Sequence, residues 1–337
     1  MWQNIQGHDA IVERFRRAFA RGRLAGSFLF VGPPGVGKRR FAFALAIALL
    51  CKKKDNLNPC VLGSDEACDS CKLFGNTGCT DFDFETGDFY SPHPDLYYVF
   101  KPPGSRDLPM DVIVGEGKNR GRAGLCYDIS RTPFLGNRKV AIINDADFFN
   151  AEGANALLKT LEEPPPDAVI ILIGTSTAKQ LPTIRSRCQI VRFSPLPPEI
   201  LSAILVEKGI AASVEQGNAL AIQAEGSLDQ AKDLADGGID AMRTEVLQYL
   251  TAPHWDAVAL AKRLNEIVDT TGKDSAQKRR QTRLLFGLAL EQFRDEIKGG
   301  DSRRTARRLE RTLDALEHID RNVNVPLVIE TWAMDLR

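Results

Sequence analysis

Ser27-Phe28-Leu29-Phe30-Val31 runs into Gly32-Pro33-Pro34-Gly35-Val36-Gly37-Lys38 and then into the apolar stretch Phe41 to Cys51, and this passage decides the fold. A short apolar run bounded by turn residues predicts a strand buried on both faces. The GxxxxGK pattern behind it predicts a loop in which Gly32, Gly35 and Gly37 let backbone amides wrap phosphate oxygens while Lys38 meets the terminal phosphates. The strand before it and the helix after it make the pattern specific. Further along, KVAIIN (Lys139 to Asn144) and AVIILIG (Ala168 to Gly174) read as strands of the same kind. Between them, AEGANALLKTLEE reads as a helix stopped by the triple proline Pro164 to Pro166. Strands alternating with helices from Met1 to Phe193 predict an α/β domain, a parallel sheet covered on both faces.

The rest of the composition narrows the class. Over 337 residues, 44 Lys and Arg offset 44 Asp and Glu, so no global field draws the chain to nucleic acid or anionic lipid. With 43% hydrophobic and 26% charged residues the chain is neither disordered, collagen-like nor membrane-embedded. Phe41 to Cys51 is about half the roughly 20 residues a membrane-spanning helix needs and reads as a buried helix. MWQNIQGHDA lacks the basic-then-apolar pattern of a secretory signal, which predicts a cytoplasmic protein with reduced thiols.

The phosphate loop departs from a working one in two places. The residue after Lys38, where a Ser or Thr hydroxyl normally meets magnesium, is Arg39, which cannot ligate a cation. At the end of the KVAIIN strand, where an Asp for the metal and a Glu for the attacking water are expected, the chain has Asn144 and the shorter Asp145. Both changes strip groups from around one magnesium, so hydrolysis by this chain alone is not expected. A loop kept without nucleotide and a loop that binds ATP or ADP inertly remain alternatives.

Seven cysteines in a reducing compartment point to metal or core positions. Cys60, Cys68, Cys71 and Cys79 have the spacing Cx7CxxCx7C, which supplies four thiolates for a tetrahedral, structural zinc in a loop-rich segment. His93 is a spare ligand, and Cys51 and Cys126, which share no pattern, read as core or surface thiols. The CxxC pair has no thioredoxin-like surroundings that would favour redox chemistry.

Composition shifts divide the chain into residues 1–194, with an insertion at about 52–124 holding the zinc module, then 195–238 and 239–337. SPLPP at Ser194 to Pro198 makes the first linker, and amphipathic helices follow, among them Glu199 to Lys208, Val214 to Glu225, Ala276 to Lys298 and Ser302 to Ile319. The basic runs at Lys278 to Arg283 and Arg303 to Arg308 read as solvated faces or subunit contacts, with no DNA contact assigned.

Two long strings, NALLKTLEEPP (Asn155 to Pro165) and LPTIRSRCQIVRF (Leu181 to Phe193), resemble the bacterial clamp loader family of AAA+ proteins. IQGHDAIVERFRRAF (Ile5 to Phe19) resembles that family's N-terminal box near the adenine pocket, and RNVNVPLVIETWAMDL (Arg321 to Leu336) its closing collar helix. The resemblance implies a P-loop AAA+ (RecA-like) domain with a four-cysteine zinc insertion, a helical lid at 195–238 and a helical collar at 239–337 that oligomerises. It implies a hetero-pentamer with motor subunits and a clamp-opening subunit, placing a sliding clamp on primed DNA as part of a replicative polymerase holoenzyme. Within such an assembly Arg187, in Ser186-Arg187-Cys188, corresponds to an arginine finger that reaches a neighbour's nucleotide site. Thr175 falls near the first-domain sensor position, and Gly226-Ser227-Leu228-Asp229 stands where motor subunits carry a sensor arginine. These departures imply a non-hydrolysing stator with no membrane partner. An ATP-hydrolysing motor subunit, or an AAA+ scaffold outside replication, is the alternative.

Overall fold

The computed structural model describes residues 2, 5–53, 57–62, 64–75, 91, 93–102, 105, 107–235, 244, 246–251, 256–270, 275–299, 303–321 and 323–336. The chain forms two compact units, Met1–Pro102 with Asp107–Ala231, and Pro103–Arg106 with Lys232–Arg337.

In the first unit the elements run α1 (Asp9–Ala20), β1 (Ser27–Val31), α2 (Lys38–Leu50), α3 (Asp69–Leu73), β2 (Leu96–Val99), α4 (Met110–Val114), α5 (Leu125–Ser130), β3 (Lys139–Ile143), α6 (Ala151–Glu162), β4 (Ala168–Gly174), α7 (Pro182–Arg185), β5 (Gln189–Arg192), α8 (Pro198–Glu207), α9 (Val214–Gln223) and α10 (Leu228–Ala235), the last crossing into the second unit. The sheet order is β2-β3-β4-β1-β5 with every pairing parallel, in register Ser27 to Ile170, Lys139 to Ala168 and Phe28 to Gln189. β1 thus sits between two strands that follow it much later in the chain, and the loop at its C-terminal end opens into the crevice where doubly wound sheets bind ligands.

The strands that the sequence predicts at 27–31 and 168–174 form there, and the one predicted at 139–144 forms over Lys139–Ile143. Two further strands complete the sheet, β5 and the edge strand β2. β2 lies inside the stretch 52–124 that composition sets apart, so the sheet's own chain resumes by Leu96.

Strand alternation divides the core between the two faces. Phe28, Phe30, Val140, Ile142, Val169 and Ile171 point to one side, where they meet Phe15 of α1 and Phe41 of α2. Leu29, Val31, Ala141, Ile143, Ile170 and Leu172 point to the other, against Leu157 and Leu161 of α6. Phe15, Phe28, Phe30, Phe41 and Phe193 form an aromatic cluster with ring centroids 5.0–6.3 Å apart. α2 is buried from Phe41 to Leu50, which is why its sequence shows no polar face. Asn150 caps α6 by accepting the Gly153 amide at 2.7 Å, and Ser213 caps α9 from the Gln216 amide at 3.2 Å.

The second unit is helical in its described residues: α11 (Ala257–Thr270), α12 (Ser275–Lys298), α13 (Arg303–Asp320) and α14 (Val325–Asp335). Its core gathers Leu264, Phe286, Phe293, Ile319, Ile329 and Trp332. Trp332 lies 4.8 Å from the Phe286 ring and donates its indole N–H to Thr312 Oγ1 at 2.9 Å, so the buried polar atom is satisfied. No described helix is long and apolar enough to cross a membrane.

Candidate nucleotide and metal sites

The phosphate loop leaves β1 at Val31 and enters α2 at Lys38. Gly35 and Gly37 have φ of +73° and +96°, a region that L side chains rarely adopt. Lys38 does not extend into an open cradle. Its Nζ donates to the carbonyls of Gly32 at 2.6 Å and Pro33 at 2.5 Å, and the residue is 7% exposed. Burial lowers its pKa to about 8, against the opposing charges of Asp147 and Asp229.

The lid closes over this loop. The Leu228 amide donates to Gly35 O at 3.0 Å, and a Cβ on Gly35 would lie 2.2 Å from Ser227 Oγ and 2.8 Å from the Asp229 nitrogen. Gly35 is therefore required here by the lid as well as by its own φ. On the other flank His8, 5% exposed, donates from Nε2 to Val36 O at 2.6 Å and rests edge-on against Phe193. The cleft bordered by His8, Gly35, Gly37, Arg40, Leu196 and Leu228 measures about 90 Å³, far below the roughly 300–1,000 Å³ of ordinary small-ligand pockets.

The magnesium positions are filled by other chemistry. Arg39 hydrogen-bonds Tyr98, whose hydroxyl burial pushes up to about 12 against the arginine's pull. Asp145 sits at φ +59° and accepts the Lys101 amide at 3.3 Å; burial holds its carboxyl above the usual range, with Lys101, Asn144 and Arg39 opposing. The Asn144 amide donates to Val99 O at 2.7 Å and extends the β2–β3 ladder. Asp147 is the residue that sequence reasoning missed. Its carboxylate accepts the Thr175 amide at 2.7 Å, the Thr175 hydroxyl at 2.6 Å and the Gln180 side-chain amide, so Thr175 is engaged in tying the end of β4 to the turn after β3. The signal was available in a second aspartate two residues beyond Asp145.

Arg187 lies between α7 and β5 and is half-buried. Nε donates to Glu162 at 3.1 Å, and Nη1 donates to Thr183 O at 3.0 Å and Ser186 Oγ at 3.3 Å. Glu162 belongs to the NALLKTLEEPP helix, so the two most distinctive strings of the sequence meet in this ion pair. The neighbouring Cys188 is buried and its thiol is raised to about 12 by that burial, which keeps it a neutral packing group.

Four sulfurs converge below the C-terminus of α2: Cys51, Cys60, Cys68 and Cys71 have their Sγ atoms within 4.8 Å of one another. Cys51 Sγ lies 3.6 Å from Cys60 Sγ and 3.9 Å from Cys68 Sγ. A tetrahedron of sulfurs about 2.3 Å from a central zinc has edges of about 3.8 Å, so the donor set fits such an ion. The reading of Cys51 as an unpartnered thiol is thereby corrected. As the residue that ends α2, it is placed by the helix and by the Ile47 carbonyl that accepts its amide. Cys79 lies outside the described residues. The Lys52 amide donates to Cys68 Sγ at 3.4 Å and the Cys68 amide to Cys60 Sγ at 3.5 Å. Burial opposes ionisation of Cys68, but amide donors and neighbouring thiols outweigh it and bring the thiol to about 7. His93 is not in the cluster: its Nδ1 accepts the Asp95 amide at 3.0 Å and its ring stacks on Phe74 at 5.5 Å.

A parallel five-stranded sheet with a P-loop between β1 and α2, a cysteine-rich insertion and a helical lid defines a AAA+ module of clamp-loader type. Residues 7–197 match the family described as DNA polymerase III, delta subunit, and the chain belongs to that family. It is 28% identical over 254 residues to DNA polymerase III subunit delta' of Pseudomonas aeruginosa, covering 71% of this chain and 68% of that one. It is 30% identical over 200 residues to subunit delta' of Bacillus subtilis, covering 59% of this chain and 51% of that relative. Over 241 residues it is 30% identical to subunit tau of Escherichia coli, covering 70% of this chain and 32% of the longer protein. The match thus spans about half the B. subtilis relative and about a third of tau.

Proposed function

We propose that this chain is the non-hydrolysing stator of a DNA polymerase III clamp loader, lending Arg187 to the ATP site of an adjacent motor subunit while turning over no ATP itself. The observation that carries this reading is the closed phosphate loop. Lys38 is satisfied by Gly32 and Pro33 carbonyls, and the Leu228 amide ties the lid to Gly35. A phosphate would have to break those contacts and meet Asp229, a like charge, at the mouth of the site. With Arg39 and Asn144 in the magnesium positions, no hydroxyl or carboxylate is offered there for a cation.

Arg187 has the opposite character. Its guanidinium is oriented by Glu162 and by the Thr183 carbonyl, and Nη2 keeps no hydrogen-bond partner among the described residues. An arginine supplied in trans to a transferring phosphoryl group is worth about 10³–10⁵ in rate, because it meets charge that develops only in the transition state. In this reading the loader's motor subunits and clamp-opening subunit are the direct partners, and the assembly places the sliding clamp on primed DNA. Residues 1–194, 195–238 and 239–337 serve as AAA+ domain, lid and oligomerising collar. Cys51, Cys60, Cys68 and Cys71 hold a structural zinc, whose chemistry is confined to ordering the 51–71 loop against α2, since four thiolates leave no open position.

Similarity to tau favours a second reading, a motor subunit. The test is DNA- and clamp-stimulated ATPase of a reconstituted loader with wild-type chain, Arg187→Ala and Arg187→Lys, beside the chain alone. The stator reading expects a silent chain and a shared site slowed about 10³-fold or more by either substitution. Turnover by the isolated chain would support the motor reading, and an unchanged rate with Arg187→Ala would remove Arg187 from the shared site.

A further inference from the structure

Helix α13 opens with five arginines against one glutamate between Arg303 and Arg311, in a chain whose 44 cationic and 44 acidic residues cancel overall. The helix macrodipole is positive at this end, so cations in the first turns are repelled by the backbone that carries them. No acidic residue stands in the first turn to offset them.

The arginines are not equivalent. Arg308 is held inside the second unit, with Nε donating to Leu336 O at 2.9 Å and the guanidinium over the Phe293 ring at 5.9 Å. Arg303 and Arg307 are exposed and make no ion pair among the described residues, and Arg311 reaches Asp314 only at 3.5 Å. These three recur every fourth residue and so share one face of the helix. They share an open, nearly flat face of the helix with Ala306, Leu309, Glu310 and Leu313.

We propose that the Arg303, Arg307 and Arg311 face of α13 binds the phosphodiester backbone of DNA without reading its sequence. Eight residues of helix span about 12 Å, a distance over which one strand of a duplex presents three or four phosphates at about 3.4 Å each. An unbroken row of one charge sign matches that array, and the planar guanidinium fork suits phosphate oxygens. The C-terminal half of the same helix differs, since its charged residues Asp314, Glu317 and Asp320 are all acidic. Glu310 lies on the same face and Asp314 pairs with Arg311, which tempers the patch without dividing the three arginines.

The test uses the whole chain alone, so its outcome is independent of the stator reading. Anisotropy of a labelled single strand of about 20 nucleotides, and of the matching duplex, is followed against salt from about 50 mM upward. The wild type should bind with an affinity that falls steeply with salt. Arg303→Gln, Arg307→Gln and Arg311→Gln together should reduce the slope of log K against log[salt] by about 2 on the single strand or about 2.7 on the duplex. The arm with the full reduction identifies the form of DNA. A control with Arg14→Gln, Arg21→Gln and Arg23→Gln, exposed residues outside this helix, should leave the slope in place. Lysine at the three α13 positions should preserve it. Should the triple variant fail to fold by circular dichroism, each single change should still lower the slope by about 0.7–0.9. The proposal is overturned if wild type does not bind near 50 mM salt, if the α13 variants keep the wild-type slope, or if they lose binding to poly-glutamate but not to DNA, which would mark a protein-docking face.

Discussion

Replacing Cys51 with Ser should weaken zinc binding by about 10²-fold or more, whereas replacing Cys79 should not. The difference follows from sulfur geometry. Cys51 Sγ is 3.6 and 3.9 Å from two other sulfurs of the cluster, against about 3.8 Å for the edge of a zinc tetrathiolate, so it already stands at a ligand position. Structural zinc sites bind with about 10–16 kcal/mol at neutral pH. An even share over four thiolates is about 3 kcal/mol, and losing it weakens binding by about 10²-fold or more. Metal analysis after gel filtration should find about one zinc per wild-type chain, and competition with a chromophoric chelator should rank Cys51→Ser at least 10²-fold weaker. Because Phe41 to Leu50 are buried independently of the cluster, Cys51→Ser should keep its helical circular dichroism while binding zinc more weakly. If Cys79→Ser loses zinc and Cys51→Ser retains it, the cluster has been misread and the argument from the sulfur spacings fails.

Lys38 gives a pH prediction. Its folded pKa of about 8 lies below the 10.5 of an ordinary lysine, so between those pH values the unfolded chain binds more protons and stability must rise with pH. Relative to Lys38→Met, the wild type should therefore gain up to about 3 kcal/mol between pH 8 and 10.5, read from urea unfolding at the two ends. A gap that stays constant or shrinks with pH would show that Lys38 is not desolvated. Asp147→Ala should leave the Thr175 amide, its hydroxyl and the Gln180 amide without their shared acceptor, for a loss of about 2–4 kcal/mol. Calorimetry should find the first unit's transition lowered by about 5–15 °C, and a shift under about 1 °C would show the carboxylate to be solvated.

How much of this was legible beforehand differs from residue to residue. The three central strands were readable because a strand buried on both faces has no polar positions to disguise it. β2 shows little of itself along the chain, because LYYV is four residues long and lies in a segment rich in Gly, Pro and Asp; its pairing with β3 completes it as a strand. That Arg39 and Asn144 offer neither a hydroxyl nor a carboxylate is legible from residue types alone. The lid's seal on Gly35 was not, because residues 35 and 228 meet only through the fold.

The sequence by itself determined the phosphate-loop sheet, the residue types Arg39 and Asn144 beside that loop, a cysteine-rich segment and the family strings around Arg187. Each of these depends on residue identity or on local periodicity, which the chain carries without folding. Only the tertiary structure decided that Cys51 joins Cys60, Cys68 and Cys71, that Lys38 is turned onto its own loop, that Asp147 claims Thr175, and that Glu162 orients Arg187. Those are meetings of side chains from different elements, fixed by sheet order and helix packing, and no spacing along a single strand or helix encodes them.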